Sequence, residues 1–154
     1  MESKQNHTLN WGILGPGKIA HAFAADLALV EGNQLLAVGS RSKERADFFA
    51  ARHPVSRAYG SYEALLGDPE VDIIYIATPH DSHQHWAIKA MEAGKHVLVE
   101  KPAAVNAIQL ASLTDCAKKN KVFLMEALWS RFNPSIMEVL QRTARGDIGD
   151  ISYI

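Results

Sequence analysis

The chain has 154 residues, 47% of them hydrophobic, with 16 basic and 17 acidic side chains and a net charge of -1. That is enough apolar material for one compact core, and the charge is too balanced to hold nucleic acid or an anionic membrane surface by electrostatics. No apolar run approaches a membrane span, and residues 1–7 lack the apolar stretch of a secretion signal, so a cytoplasmic protein is expected. The single cysteine, Cys116, excludes an internal disulfide; it lies on the helical pattern of Leu113 and is expected as a core thiol, not a nucleophile.

The first element is an apolar run into Gly12-Ile-Leu-Gly-Pro-Gly-Lys-Ile-Ala20, which reads as a strand, a glycine-rich turn and the start of a helix. Gly15, Gly17 and Ala20 fall on the three small positions of G-x-G-x-x-G/A, the dinucleotide-binding turn. Gly15 permits the tight turn, Gly17 lets the backbone approach a pyrophosphate, and Ala20 keeps the helix close to the strand. The helix N-terminus at Lys18 and Ile19 then offers unpaired N–H groups and a positive dipole end to phosphates. Ile19, Phe23 and Leu27 give this helix an apolar stripe.

The second strand, residues 34–39, is nearly all apolar, as a strand covered on both faces should be. It ends at Ser40-Arg41-Ser42-Lys43, where an NAD site puts an acidic residue on the ribose 2′-hydroxyl. No carboxylate stands there. Hydroxyls and cations suit a 2′-phosphate instead: Arg41 can pair it bidentately, and Ser40 and Ser42 can donate to its oxygens. The plainer alternative is that Ser42 caps the next helix beside solvated charges.

Strand and helix keep alternating. A helix is expected over 42–53 with Ala46, Phe49 and Ala50 inward, a short strand at 57–59, a helix over 61–66 and a turn at Asp68-Pro69. The best central strand is 71–77, followed by a helix closed by Gly94 and a strand over 95–100. Asn106 and Gln109 resemble a capping box for a helix carrying Leu110, Leu113 and Ala117, and residues 121–125 are the last clear strand. This alternation requires parallel pairing and right-handed crossovers, giving an α/β fold of three layers around a doubly wound, mostly parallel sheet.

Ligands in such sheets bind beyond the carboxyl ends of the strands. That singles out Ser40-Arg41, the segment from Ala77-Thr78-Pro79 to His83, and Glu100-Lys101-Pro102. A charged pair ending an apolar strand and fixed by a proline sets Lys101 beside the cofactor. There a lysine of lowered pKa can give or take the proton of a carbinol–carbonyl interconversion. Glu100 can position Lys101 or a ribose hydroxyl; a solvated salt bridge is the plainer reading. His80 and His83 bring no further ligands at metal-site spacing, so no metal is expected.

Together, Gly15-x-Gly17-x-x-Ala20, Ala77-Thr78-Pro79 with His83, and Glu100-Lys101-Pro102 resemble the Gfo/Idh/MocA oxidoreductases, and in particular their dihydrodiol dehydrogenase-like branch. The resemblance covers essentially the whole chain. It implies a dinucleotide-binding Rossmann domain over residues 1–125. Residues 126–154 would be a connecting helix and the start of a substrate domain absent from this chain. It implies that Lys101 is the catalytic residue near nicotinamide and substrate, that Thr78, Pro79 and His83 contact the cofactor, and that the Lys101-Pro102 peptide is cis. The branch pairs the Ser-Arg strand end with NADP in preference to NAD. It also puts Trp129 at the active site as an aromatic wall and Arg131 there as a donor to anions or hydroxyls. A helix over 134–143 and a strand within 146–154 should follow, the latter an apolar edge in need of a partner.

The implied function is an NADP-dependent oxidoreductase moving hydride between nicotinamide and a small-molecule sugar, polyol, diol or related carbonyl compound. This chain would be its cofactor-binding part, inactive alone and homo-oligomeric in the full-length protein. The alternative is a non-catalytic dinucleotide-binding sensor or regulatory module. Such a module needs the phosphate turn but not the lysine, so intact Glu100-Lys101-Pro102 favours the enzyme. A methyltransferase with a similar glycine loop explains neither that segment nor the basic strand end.

Overall fold

The computed structural model describes residues 8–152. Six strands, β1 (Leu9–Leu14), β2 (Asn33–Gly39), β3 (Arg57–Tyr59), β4 (Ile73–Ile76), β5 (His96–Val99) and β6 (Leu124–Glu126), form one sheet in the order β3-β2-β1-β4-β5-β6. Every neighbouring pair is parallel. The helices are α1 (Lys18–Leu27), α2 (Lys43–Ala50), α3 (Tyr62–Leu66), α4 (His83–Glu92), α5 (Ala107–Asn120) and α6 (Pro134–Arg145). The chain winds outward from β1 to β3, returns to the centre at β4 and winds the other way. The crevice at the carboxyl ends of β1 and β4 is therefore the switch point where such sheets take ligands.

The strands carry apolar residues on both faces because both faces are covered. Ile13 packs with Ala20, Ala24, Leu27, Ala46 and Phe49 under α1 and α2, while its neighbour Leu14 points to the layer of α3, α4 and α5 with Leu65, Ala87 and Leu113. Between Trp11↔Leu35 and Gly12↔Ala37 the register slips, leaving Leu36 as an extra residue. Leu36 and Ala37 thus share one face, with Leu35 and Val38 on the other.

Local signals set the helix ends. Ser42, Ser61 and Asn106 accept from the N–H groups of Arg45, Ala64 and Gln109, each three residues on. Gln109 returns its Oε1 to the N–H of Val105 at 3.3 Å, so the capping box is displaced by one residue. Gly94 after α4 and Gly146 after α6 adopt positive φ, as stop positions should.

Some expectations fail on helix phase. The inward residues of α1 are Ala20, Ala24 and Leu27; Ile19 is 48% exposed. A strict four-residue spacing drifts around a helix of 3.6 residues per turn, and small residues let α1 approach the sheet closely. Leu110 is likewise exposed, while Leu113 and Ala117 are buried. Cys116 is half-buried against the core. Glu126 pairs with Val99 and ends β6. α6 buries none of its residues. Residues 146–152 form no strand; Tyr153 and Ile154, the end of the strand expected there, lie outside the described residues.

Candidate functional site

The glycine turn connects β1 to α1 at the switch point. Gly15 has φ of +97°, and a Cβ there would stand 3.0 Å from the Ala77 carbonyl oxygen. This position therefore needs glycine for backbone conformation and for close approach to β4. Gly17 differs: its φ is -85°, and an added Cβ would meet only Ala77 O at 4.0 Å. Neither strain nor a protein neighbour demands glycine at 17; what it leaves open is space beside the helix start. As N-cap it brings no side chain to the start of α1; the Ala20 N–H donates to the Gly17 carbonyl, and those of Lys18 and Ile19 are left for an anion.

A hollow of about 460 Å³ opens beside this turn, lined by Gly15, Pro16, Gly17, Thr78 and Pro79 on one side and Ser40, Arg41, Ser42, Arg45 and Tyr62 on the other. Ser40 is buried and its Oγ accepts from the Ser42 N–H. Ser42 serves both readings made of it, capping α2 and lining the hollow. The helix cap brings Arg45 back to the same wall as Arg41. Arg45 is the residue that sequence reasoning missed; its signal is the serine N-cap three residues before it. Two guanidinium groups, two serines and the N-terminus of α2 make this the end suited to a phosphate.

Thr78 and Ala77 also line a second hollow of about 330 Å³, with Ile19, His80, Glu100, Lys101 and Trp129. The two hollows therefore run along the carboxyl edge of the sheet with the Thr78 turn between them. Ser82 Oγ braces that turn, 2.9 Å from Thr78 Oγ1 and 2.7 Å from the Pro79 carbonyl oxygen. Lys101 is exposed, and its peptide bond to Pro102 is cis. Glu100 is held at both oxygens: Oε1 accepts from the Tyr75 hydroxyl at 2.5 Å, and Oε2 from the Lys101 N–H at 3.2 Å. Burial, then the Glu100 carboxylate itself, push the Tyr75 hydroxyl far above its usual pKa, so it stays a donor. A mostly apolar hollow of about 380 Å³ adjoins on the α1 side, sharing Ile19, Glu100 and Trp129 and including Phe23, stacked on Tyr75 at 3.9 Å.

Three further candidate residues are placed as follows. His83 has no solvent exposure; its Nδ1 and Nε2 lie 2.8 Å from the carbonyl oxygens of Pro102 and Thr78, so it reaches a ligand only through those turns. Arg131 shares the 3-10 turn of Trp129 (Trp129–Phe132) but lines neither hollow. With three residues per turn, positions two apart point in different directions. Lys18 is exposed at the start of α1, where its backbone N–H is among those at the helix N-terminus.

Residues 9–128 match the Gfo/Idh/MocA family, described as an oxidoreductase family with an NAD-binding Rossmann fold. The chain belongs to this family. It is 39% identical over 148 residues to trans-1,2-dihydrobenzene-1,2-diol dehydrogenase of Danio rerio, covering 95% of this chain and 44% of that protein. It is 40% identical over 163 residues to D-xylose 1-dehydrogenase (NADP+) of Hypocrea jecorina, covering 98% of this chain and 42% of that protein. Among solved structures it superposes on KijD10, a 3-ketoreductase from Actinomadura kijaniata in complex with TDP-benzene and NADP, with TM-score 0.88 and 30% identity over 93% of this chain and 45% of that one. The chain thus spans less than half the length of the relatives it matches, and within the family it resembles the dihydrodiol dehydrogenases expected from its motifs.

Proposed function

We propose that this chain is the cofactor-binding part of an NADP-dependent dehydrogenase or reductase acting on a diol, polyol, sugar or related carbonyl compound. The observation that carries the reading is that two hollows share one wall at Ala77 and Thr78: a phosphate-suited end at Gly17, Ser40, Arg41 and Arg45, and, past Thr78, an end holding Lys101. A dinucleotide is long enough to need both. The absence of a carboxylate at the end of β2 and the presence of two arginines favour NADP over NAD. The diol and xylose dehydrogenases that resemble the chain support the same substrate class.

In this reading the α1 N-terminus and Gly17 hold the pyrophosphate, and Arg41, Arg45, Ser40 and Ser42 hold the 2′-phosphate. Pro79 lines the phosphate end, and Thr78, Ile19 and Trp129 wall the nicotinamide end. The bound cofactor supplies hydride chemistry. Lys101 Nζ gives a proton to the substrate oxygen in reduction and takes it back in oxidation, and Glu100, fixed by Tyr75, orients the lysine turn. Residues 1–125 would form the cofactor domain and residues 126–154 a link to a substrate domain; the protein works in the cytoplasm as a homo-oligomer.

The test is Lys101→Ala in the full-length protein. Turnover should fall by about 100-fold or more while NADPH affinity changes little. Unchanged turnover would remove Lys101 from the chemistry and favour a dinucleotide sensor.

A further inference from the structure

His21 and His53 line neither hollow of the cofactor reading, yet they join the two helices that build its phosphate end. His21 is the fourth residue of α1, and its backbone N–H donates to the Gly17 carbonyl. His53 lies three residues after the end of α2. Both side chains are half-buried, and His21 Nδ1 stands 2.7 Å from His53 Nε2. Phe49, with no solvent exposure, packs against both, its ring centroid 4.6 Å from that of His21 and 4.5 Å from that of His53. At this spacing one nitrogen must donate and the other accept. The pair meets that condition with no charge or with one. With two charges, N–H faces N–H and the contact is lost.

We propose that the His21–His53 pair is a latch that holds α1 to the end of α2 at neutral pH and opens when the pair takes up a second proton in mild acid. The latch itself rests on the ring geometry; its effect on a ligand rests on the cofactor reading. In that reading α1 gives the N–H groups for the pyrophosphate, and α2 brings Ser42 and Arg45 to the 2′-phosphate. A hollow of about 370 Å³ lies between the two helices, where His21 shares the lining with Pro16 of the glycine turn and with Arg45. Opening the latch frees one helix from the other and loosens the spacing of the two phosphate sites. Burial, then the charges of His21 and Arg52, push the His53 pKa below its ordinary 6.5. The unfolded chain takes both protons near the ordinary value, while the folded chain resists the second. The latch therefore stabilises the fold fully above about pH 6.5 and stops doing so as pH falls through the folded value. Around the pair, Lys18 one turn earlier on α1 and Arg45 on α2 add to Arg52 in opposing a second positive charge, and Glu44 on α2 favours it. From the sheet beneath come Ile13 and Val38, which carry no charge.

The experiment is nitrogen NMR of this 154-residue chain from about pH 8 to about pH 5, reading the coupling between His21 Nδ1 and His53 Nε2 across their hydrogen bond. Urea midpoints and titrations with NADP+, which survives mild acid, are taken at the same pH values. Glutamine at 53 donates or accepts at the same reach without adding a cation, so His53→Gln is the control. The coupling should be present at neutral pH and vanish in acid. Over that step the parent should lose more of its urea midpoint than His53→Gln, and its NADP+ affinity should drop about three- to tenfold further. Titration of the 2′-phosphate is common to both proteins and cancels in the comparison. No coupling at neutral pH, or a parent and His53→Gln that lose stability in parallel, would overturn the latch. A coupling that vanishes while NADP+ affinity follows that of His53→Gln would overturn its hold on the phosphate end. No NADP+ binding at any pH would contradict the cofactor reading, and the coupling and urea midpoints would then decide the latch on their own. If His53→Gln does not fold, the parent carries the test: its coupling, urea midpoint and affinity must fall at one pH, and separate midpoints would overturn the proposal.

Discussion

Gly15 and Gly17 stand two residues apart in one motif for different physical reasons, and substitution separates them. Gly15→Ala forces a side chain into positive φ and against the Ala77 carbonyl, so it should cost about 1–3 kcal/mol of stability, read as a lower urea midpoint. Gly17→Ala meets neither obstacle and should leave the midpoint nearly unchanged while weakening NADPH binding, because the methyl fills space left for the ligand. A large loss of stability in Gly17→Ala would show that this residue serves the fold and not a ligand. At this scale the sequence was legible wherever backbone position alone places a residue: the glycines, and Ser40 and Arg41 at a strand end. It was illegible wherever side-chain direction decides. Ile19 turned outward to wall the site, Arg131 lines neither hollow, and His83 went beneath them, because each depends on helix phase or on a loop contact far away in sequence.

Among the elements, β3 and the turn after α3 are joined by an ion pair and hydrogen bonds. Buried Asp68 accepts from Arg57 and from the Tyr59 hydroxyl, each at 2.9 Å, and Lys95 Nζ donates to the Asp68 and Val71 carbonyls from behind. Burial alone would raise the Asp68 pKa. The hydrogen bonds from Arg57 and Tyr59, with the charges of Arg57 and Lys95, outweigh it and hold the carboxyl below its ordinary 3.8. A depressed carboxylate pKa stabilises the fold fully above its unfolded value and stops doing so as pH falls through the folded value. The parent should therefore lose stability below about pH 4 more steeply than Asp68→Asn, which should be weaker by about 1–3 kcal/mol at neutral pH. Urea midpoints against pH measure both; parallel curves for the two proteins would rule out this linkage. Asp68-Pro69 was readable as a turn, but its partners were not, since Arg57 reaches Asp68 from β3 and Lys95 from the turn before β5.

At the scale of the whole molecule, the alternation of strand and helix made the layered parallel sheet readable, because parallel neighbours need crossover helices and crossovers have one hand. The strand order, and hence the switch point, places the phosphate turn, the basic strand end and the lysine turn along one edge. What the pattern left unreadable is the segment after β6. The amphipathic α6 buries nothing within this chain, and its surroundings are not encoded locally. The proposed function requires one site that takes a dinucleotide and recognises its 2′-phosphate. The measurement is a calorimetric titration of this chain with NADPH and with NADH, repeated on Arg41→Ala. NADPH should bind at least about tenfold more tightly than NADH, and Arg41→Ala should remove most of that preference while leaving NADH binding unchanged. Equal affinity for the two cofactors, unaltered by Arg41→Ala, would contradict it.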